Sequence, residues 1–216
     1  MTSSFLNVTQ ELLGASLYTL GLFALTLIFA VPLGFVVYLL ANSKFKPLSI
    51  VMRVLIWIIR GTPLMLQIIL FVFVPGIVFG IQVSNRFIWV TVAFVINYSA
   101  YFAEIYRGGF ESIPAGQYEA CQILGMTKSQ TFFKVILPQV IKRVVPPMGN
   151  EVITLIKDTS LANVVGITEI IITAKGITNM TGVIWPIFYT GVFYLLFSGI
   201  LTLVLRWVEK KFDYYR

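Results

Sequence analysis

The feature that most constrains this chain is a set of long uncharged stretches. Leu12 to Ser43 carries no Asp, Glu, Lys or Arg. It is too long for an ordinary buried helix and ample for a bilayer crossing, which takes about 20 residues at 1.5 Å each. Gly61 to Gln82 and Phe87 to Ala103 are two further runs. A fourth, Val144 to Thr173, is broken by Glu151, Lys157, Asp158 and Glu169, and a fifth covers Gly176 to Leu205. Composition agrees: 58% of the 216 residues are hydrophobic and 12% are charged, about half the charged share of a globular domain. The expected class is an all-α polytopic membrane protein forming one domain, 1–216, with spans at about 12–41, 54–80, 87–106, 144–172 and 183–207. One Cys and no His argue against a disulfide framework or a Cys/His metal site. No basic segment and small-residue cleavage pattern flank the first run, which reads as a retained span.

The net charge of +7 is explained by topology rather than by nucleic acid, because the cations collect at span ends. Lys44, Lys46, Arg53 and Arg60 flank one loop. Arg107, Lys128, Lys134, Lys142 and Arg143 belong to the central interval, and Arg206, Lys210, Lys211 and Arg216 close the chain. The other side holds Arg86 and Lys175. Lys and Arg favour the cytoplasmic side, so the N-terminus is expected outside and the C-terminus in the cytoplasm, with the tail an interfacial anchor. Arg60 sits at the mouth of the second span, where it can snorkel. Gly61 and Pro63 beside it, like Pro32 with Gly34, read as tolerated kinks.

Residues 107–143 form the longest polar interval, expected at the membrane surface. Gly116 to Lys134 has a helical pattern, with Pro114 near its start and Tyr118, Cys121, Leu124 and Gly125 on one face. Gly125 costs such a helix about 1 kcal/mol against alanine, which implies a break between two short helices or a close backbone approach. Thr127 can cap the restart, and Pro138 is expected to end the second piece. Periodicity alone leaves open whether this element docks a partner or only lies on the bilayer.

Glu119-Ala120-Cys121, three residues, Gly125, nine residues and Val135-Ile136-Leu137-Pro138 resemble the signature loop of ABC importer permeases. Its usual form is Glu-Ala-Ala, three residues, Gly, nine residues, Ile, any residue, Leu-Pro. Cys121 and Val135 are the departures, both to small or isosteric apolar side chains. Arg60-Gly61-Thr62-Pro63-Leu64, Tyr98 to Ile105, Pro114-Ala115-Gly116-Gln117 and Leu155 to Leu161 resemble the polar amino-acid uptake subfamily, so the likeness covers nearly the whole chain.

The resemblance implies five spans and a homodimer or heterodimer with a homologous permease. It also implies two cytoplasmic ATPase subunits that hold ATP and Mg, and an extracytoplasmic binding protein that delivers the solute. This chain lacks a Gly-Lys-Ser/Thr phosphate loop and would hold no cofactor itself. It would lie in the bacterial inner (plasma) membrane, in contact with lipid. Gln117 to Met126 then form the coupling helix, with Gln117, Tyr118, Glu119, Ala120, Cys121, Leu124, Gly125 and Met126 facing the ATPase and Cys121 serving as a crosslinking probe.

Charged groups inside spans are costly and usually face a bundle interior or a path. Glu151 and Asp158 are two helical turns apart and share a face, whereas Lys157 points about 100° away, toward the third or fifth span. Glu151, Asp158, Thr159 and Ser160, with Asn97, Tyr98 and Ser99, are the expected solute path. A structural polar network or a gate that never touches solute is the alternative. Two acidic groups favour a basic amino acid such as arginine or lysine; every zwitterion also carries an ammonium, so glutamine, glutamate, cystine and histidine stay open and the expected solute is a polar or basic L-amino acid (arginine, lysine, histidine or glutamine). The rival from another class is a non-translocating membrane scaffold or assembly subunit. If the glycine-containing helix couples the chain to its ATPase, Gly125→Arg abolishes uptake while membrane insertion persists. Uptake at the wild-type rate would reject that role.

Overall fold

A computed structural model describes residues 5–80 and 84–212, so Ile81 and Gln82 of the second run and Arg216 of the tail lie outside the described residues. The described elements are all helical: α1 (Phe5–Ala41), α2 (Lys46–Gly61), α3 (Leu64–Phe79), α4 (Arg86–Glu111), α5 (Ala115–Ile123), a single turn α6 (Lys128–Gln130), a π segment (Thr131–Ile136), α7 (Leu137–Asp158), a 3₁₀ segment (Thr159–Val165), α8 (Ile170–Thr181) and α9 (Trp185–Phe212). Among them α1, α4 and α9 are each long and apolar enough to cross a membrane. Two bent pairs, Lys46–Gly61 with Leu64–Phe79 and Lys128–Val165 with Ile170–Thr181, raise the number to five when each counts as one span.

The central element is α4, which packs against α1, α2, α3 and α7. Phe94, Tyr98 and Phe102 recur every fourth residue on it and are buried, meeting Leu22 and Ala30 of α1, Ile68 and Val72 of α3 and Leu155 of α7. Gly34 is where α1 comes closest: a β-carbon there would lie 2.7 Å from Phe102 Cβ and 3.0 Å from the Ser99 carbonyl oxygen. The glycine is therefore a close-approach residue within a helix that runs unbroken through Pro32. At the other end of α4, a β-carbon on Gly109 would fall 2.3 Å from Val144 Cγ2, so α4 and α7 are pressed together near the polar interval. On the periphery, α9 packs on α7 and α8 and exposes a row of large apolar side chains.

The second run departs from expectation. It is two helices turned by 106° at Thr62-Pro63, with Thr62 and Pro63 both extended. Pro63 is the N-cap of α3 and cannot donate back to α2. Carbonyls released at such a break need new partners inside a membrane, and Gln67 supplies them. Its Nε2 donates to the Ile59 carbonyl at 2.8 Å and to Thr62 Oγ1 at 2.8 Å, while its Oε1 accepts from Asn97 Nδ2 of α4 at 3.0 Å.

The fourth run departs too. Instead of starting near Val144, the helix begins at Lys128 and passes straight through Pro138. Pro138 has no N–H to return to the Lys134 carbonyl. The preceding turn widens to π geometry, with the Leu137 N–H donating to the Phe132 carbonyl, which fits the ring without ending the helix. After Asp158 the backbone tightens to 3₁₀, ends at Gly166 in the left-handed region (φ +79) and bends by 52° into α8. Glu169, buried, caps α8 by accepting from the Ile171 and Ile172 N–H groups at 2.8 Å each. The final helix starts at Trp185, after Gly182.

Gln67→Leu strands the Thr62 carbonyl and Asn97 and leaves the Ile59 carbonyl only the longer bond from the Thr62 hydroxyl at 3.4 Å. An unsatisfied buried polar group costs about 1–3 kcal/mol, so the detergent-solubilised variant melts at a clearly lower temperature. Adding Asn97→Leu recovers part of that loss. Wild-type melting for Gln67→Leu would contradict the bridging role.

Candidate functional site: a charged cleft between three helices and a polar elbow

The break between α2 and α3 opens onto a cleft of about 500 Å3. Arg60 comes from the end of α2 and Thr62 from the break. Asn97, Tyr98 and Tyr101 come from α4, and Glu151, Thr154 and Asp158 from α7. The α7 residues are spaced by three and four, so one helical face points into the cleft. The Tyr98 hydroxyl donates to Asp158 Oδ2 at 2.8 Å and fixes that carboxyl against α4.

Arg60 was expected to snorkel. It instead reaches Glu104 Oε2 at 3.3 Å and lies 5.2 Å from the centroid of the Tyr101 ring. Glu104 is also held by Arg107 at 2.7 Å, which reaches Glu111 at 2.5 Å. A line of alternating charge thus runs from the cleft along α4 toward the polar interval, and Glu104 lies inside α4 rather than at its end. These are partly exposed pairs, each contributing little to stability; their effect is to hold Arg60 in place.

Of the expected path residues, the cleft gathers Asn97, Tyr98, Glu151 and Asp158 and leaves out Ser99, Thr159 and Ser160. Three consecutive residues of a helix sweep about 200°, so Ser99 turns toward α1, donating to the Val95 carbonyl at 2.5 Å and lying 3.5 Å from that of Ala30. Thr159 is fully buried and donates to the Ile156 carbonyl at 2.7 Å, and the Ser160 carbonyl accepts from Asn163. Steps of about 100–120° per residue carry both off the face that Asp158 shares with Glu151. Lys157 is exposed, off the cleft face. Gln67 and the cleft positions of Arg60 and Tyr101 were missed, although Arg-Gly-Thr-Pro beside an apolar run was the available signal.

The polar interval folds into an elbow. Pro114 precedes α5, and the helix ends in a paired C-terminal closure: the Met126 N–H donates to the Cys121 carbonyl and the Gly125 N–H to that of Gln122, both at 3.0 Å. This motif requires a left-handed residue, and Gly125 has φ +68 with open space where a β-carbon would be. The glycine therefore marks a break, and among the described residues no other backbone approaches its β-carbon position. Thr127 caps α6 in a reciprocal capping box with Gln130. Arg143 donates to the Ser112 carbonyl, and Gln139 Nε2 to Gln117 Oε1 at 3.2 Å, tying α7 to both ends of the preceding loop and helix.

The expected outward face is only partly realised. Gln117, Tyr118, Glu119, Ala120, Leu124 and Gly125 are exposed and Met126 is half-buried, but Cys121 is 3% exposed. Cys121 faces the chain, which removes it from the docking face and from use as a surface crosslinking site. Because α5 stops at Ile123, Leu124 leaves the helical stripe and projects outward with Ile123, a residue the stripe did not include. The two are 76% and 86% exposed.

Comparison with known proteins agrees with this architecture. A family profile described as binding-protein-dependent transport system inner membrane component matches residues 30–214. The L-cystine transport system permease protein TcyB of Bacillus subtilis is 36% identical over 205 residues, covering 94% of this chain and 86% of that protein. The glutamine transport system permease protein GlnP of Escherichia coli is 37% identical over 163 residues, 73% of each. Among solved structures, an amino acid ABC transporter crystallised with histidines has a chain that superposes with a TM-score of 0.88 at 32% identity, covering 98% of this chain and all of that one. An inward-facing MetNI methionine ABC transporter shares the fold at a TM-score of 0.69 and 16% identity, over 95% and 97%. The chain is a member of the binding-protein-dependent transport system inner membrane component family, an ABC-transporter permease subunit of the amino-acid uptake type.

Proposed function

We propose that this permease crosses the bacterial inner membrane five times and carries a polar or basic L-amino acid through the cleft bounded by α2, α4 and α7. It does so as a homodimer or heterodimer, with its N-terminus outside and its C-terminus in the cytoplasm. ATP hydrolysis lies in separate ATPase subunits, two of them in this reading, which hold ATP and Mg. An extracytoplasmic binding protein delivers the amino acid. The relatives' printed substrates, cystine and glutamine, and the histidines named with the crystallised transporter support the amino-acid class.

The observation that carries the reading is the meeting of Arg60 with Glu151 and Asp158 in one cleft. Every amino acid presents a carboxylate and an ammonium. Arg60 suits the former, since a guanidinium pairs well with a planar carboxylate. Asp158 and Glu151 suit the latter, and the second carboxylate leaves capacity for a basic side chain. Asn97 and Tyr98 border the same space.

The elbow is the coupling element of this reading. Ile123 and Leu124 are apolar side chains projecting from a cytoplasmic turn, where an unpartnered position costs contact with water. Seated in an ATPase groove, they would pull on α4 and α7, whose junction at Gly109 and Val144 has no slack. Because Gly125 is also left-handed, Gly125→Arg strains the turn as well as blocking docking, and Leu124→Glu separates the two effects.

The experiment is amino-acid uptake into vesicles containing the permease, its ATPase and its binding protein. A hydrogen bond to a charged group contributes about 1.5–3 kcal/mol, so Glu151→Gln with Asp158→Asn lowers uptake at subsaturating solute by tenfold or more while the ATPase still copurifies. Leu124→Glu does the opposite: the ATPase is lost from the purified complex and the cleft is unaltered. Full uptake in the double variant would exclude the acidic path, and full ATPase retention in Leu124→Glu would exclude the elbow as the contact.

A further inference from the structure

A basic recess lies where α9 ends beside α7, apart from both the cleft and the elbow's exposed tip. The outer face of α9 is apolar and exposed through Leu195, Leu196, Ile200, Leu203 and Val204. Tryptophans stand at both ends of this stretch. Trp185 stacks on Phe5 with 5.8 Å between ring centroids, and the Lys211 ammonium lies 5.7 Å from the Trp207 ring. The rise from Trp185 to Trp207 is about 33 Å at 1.5 Å per residue, close to the bilayer's hydrocarbon core of about 30 Å. Tryptophan collects at the two membrane interfaces, so Trp207 marks the headgroup level.

At that level Arg206 and Lys210 of α9 meet Lys142 of α7 around a recess of about 330 Å3, with Val145 and Pro146 as its apolar wall and Glu209 as the one carboxylate lining it among the described residues. An adjoining recess of about 560 Å3 shares Lys142 and Phe212 and adds Lys134. Among the described residues, four cations and one carboxylate thus surround adjoining space that borders the exposed apolar face of α9. A nucleic acid would call for cations turned away from the bilayer. A folded partner would have to share the space with the lipid that the α9 face requires.

We infer that this recess holds the phosphate of an anionic phospholipid, with the acyl chains lying along the exposed face of α9. The Arg206 guanidinium offers paired donors to phosphate oxygens and the lysines add point charges. Val145 and Pro146 accommodate the apolar glycerol and upper acyl region. Gln139 lines the second recess and donates to Gln117 of α5 at 3.2 Å, so an occupant sits one hydrogen bond away from the elbow.

Native mass spectrometry of the assembled transporter tests this, using bilayer discs of phosphatidylcholine with a minor fraction of phosphatidylglycerol. The wild type retains phosphatidylglycerol over phosphatidylcholine. Each cation lining the recess contributes about fivefold to retention of the lipid seated there, so Arg206→Gln with Lys210→Gln lowers retention by roughly twenty-five-fold. Lys44→Gln with Lys46→Gln, the same charge loss elsewhere, leaves retention near that of the wild type. Should the double variant fail to assemble, the wild type still decides, because retention must fall as salt rises. Equal retention in all three proteins overturns the inference, as does indifference to salt. Displacement of the lipid by soluble glycerol phosphate would reassign the recess to free phosphate. Loss of ATPase copurification with lipid retention unchanged would reassign it to a protein contact.

Discussion

The Gln67 side chain is the interaction on which the rest of the structure depends. A helix broken within a bilayer exposes peptide groups that lipid cannot satisfy, and the break at Thr62-Pro63 is sharp. One amide closes it by donating to the Ile59 carbonyl and the Thr62 hydroxyl and accepting from Asn97. The same set of bonds locks α2, α3 and α4 together. It thereby holds Arg60, at the end of α2, in the space in front of Glu151 and Asp158.

That arrangement explains why α4 joins the cleft to the elbow. Its middle carries Asn97, Tyr98 and Tyr101 into the cleft. Its later turns carry Glu104 and Arg107, which hold Arg60 from behind. Its end meets α7 at Gly109 and Val144 with no room for a methyl group. Interiors packed this closely transmit displacement rather than absorb it. A force on the elbow between α4 and α7 therefore reaches both walls of the cleft, and the ion pairs along α4 connect it to the third wall, α2.

Much of this was legible in the sequence where a local rule governs. The placement of Glu151 and Asp158 on one face follows from a seven-residue spacing in a regular helix. The break at Gly125 and the cap at Thr127 follow from helix-end chemistry within a few residues. What escaped depends on partners distant in the chain or on departures from α geometry. The direction of α3 after Pro63 is decided by Gln67 reaching Asn97, thirty residues on. Pro138 reads as a terminator, yet a π turn absorbs it. Cys121 sits on the expected stripe and is buried because the chain turns back at Gly125 and packs the π segment against α5.

The central claim is that the bent second span, held by Gln67, places one cation opposite two carboxylates in a cleft that receives the transported amino acid. An experimental structure of the assembled transporter with its amino acid bound tests it most directly. The account predicts density for the solute between Arg60 and the Glu151–Asp158 face, with the Gln67–Asn97 bond intact. A straight second span, or an amino acid bound elsewhere with that cleft filled by protein, would contradict it.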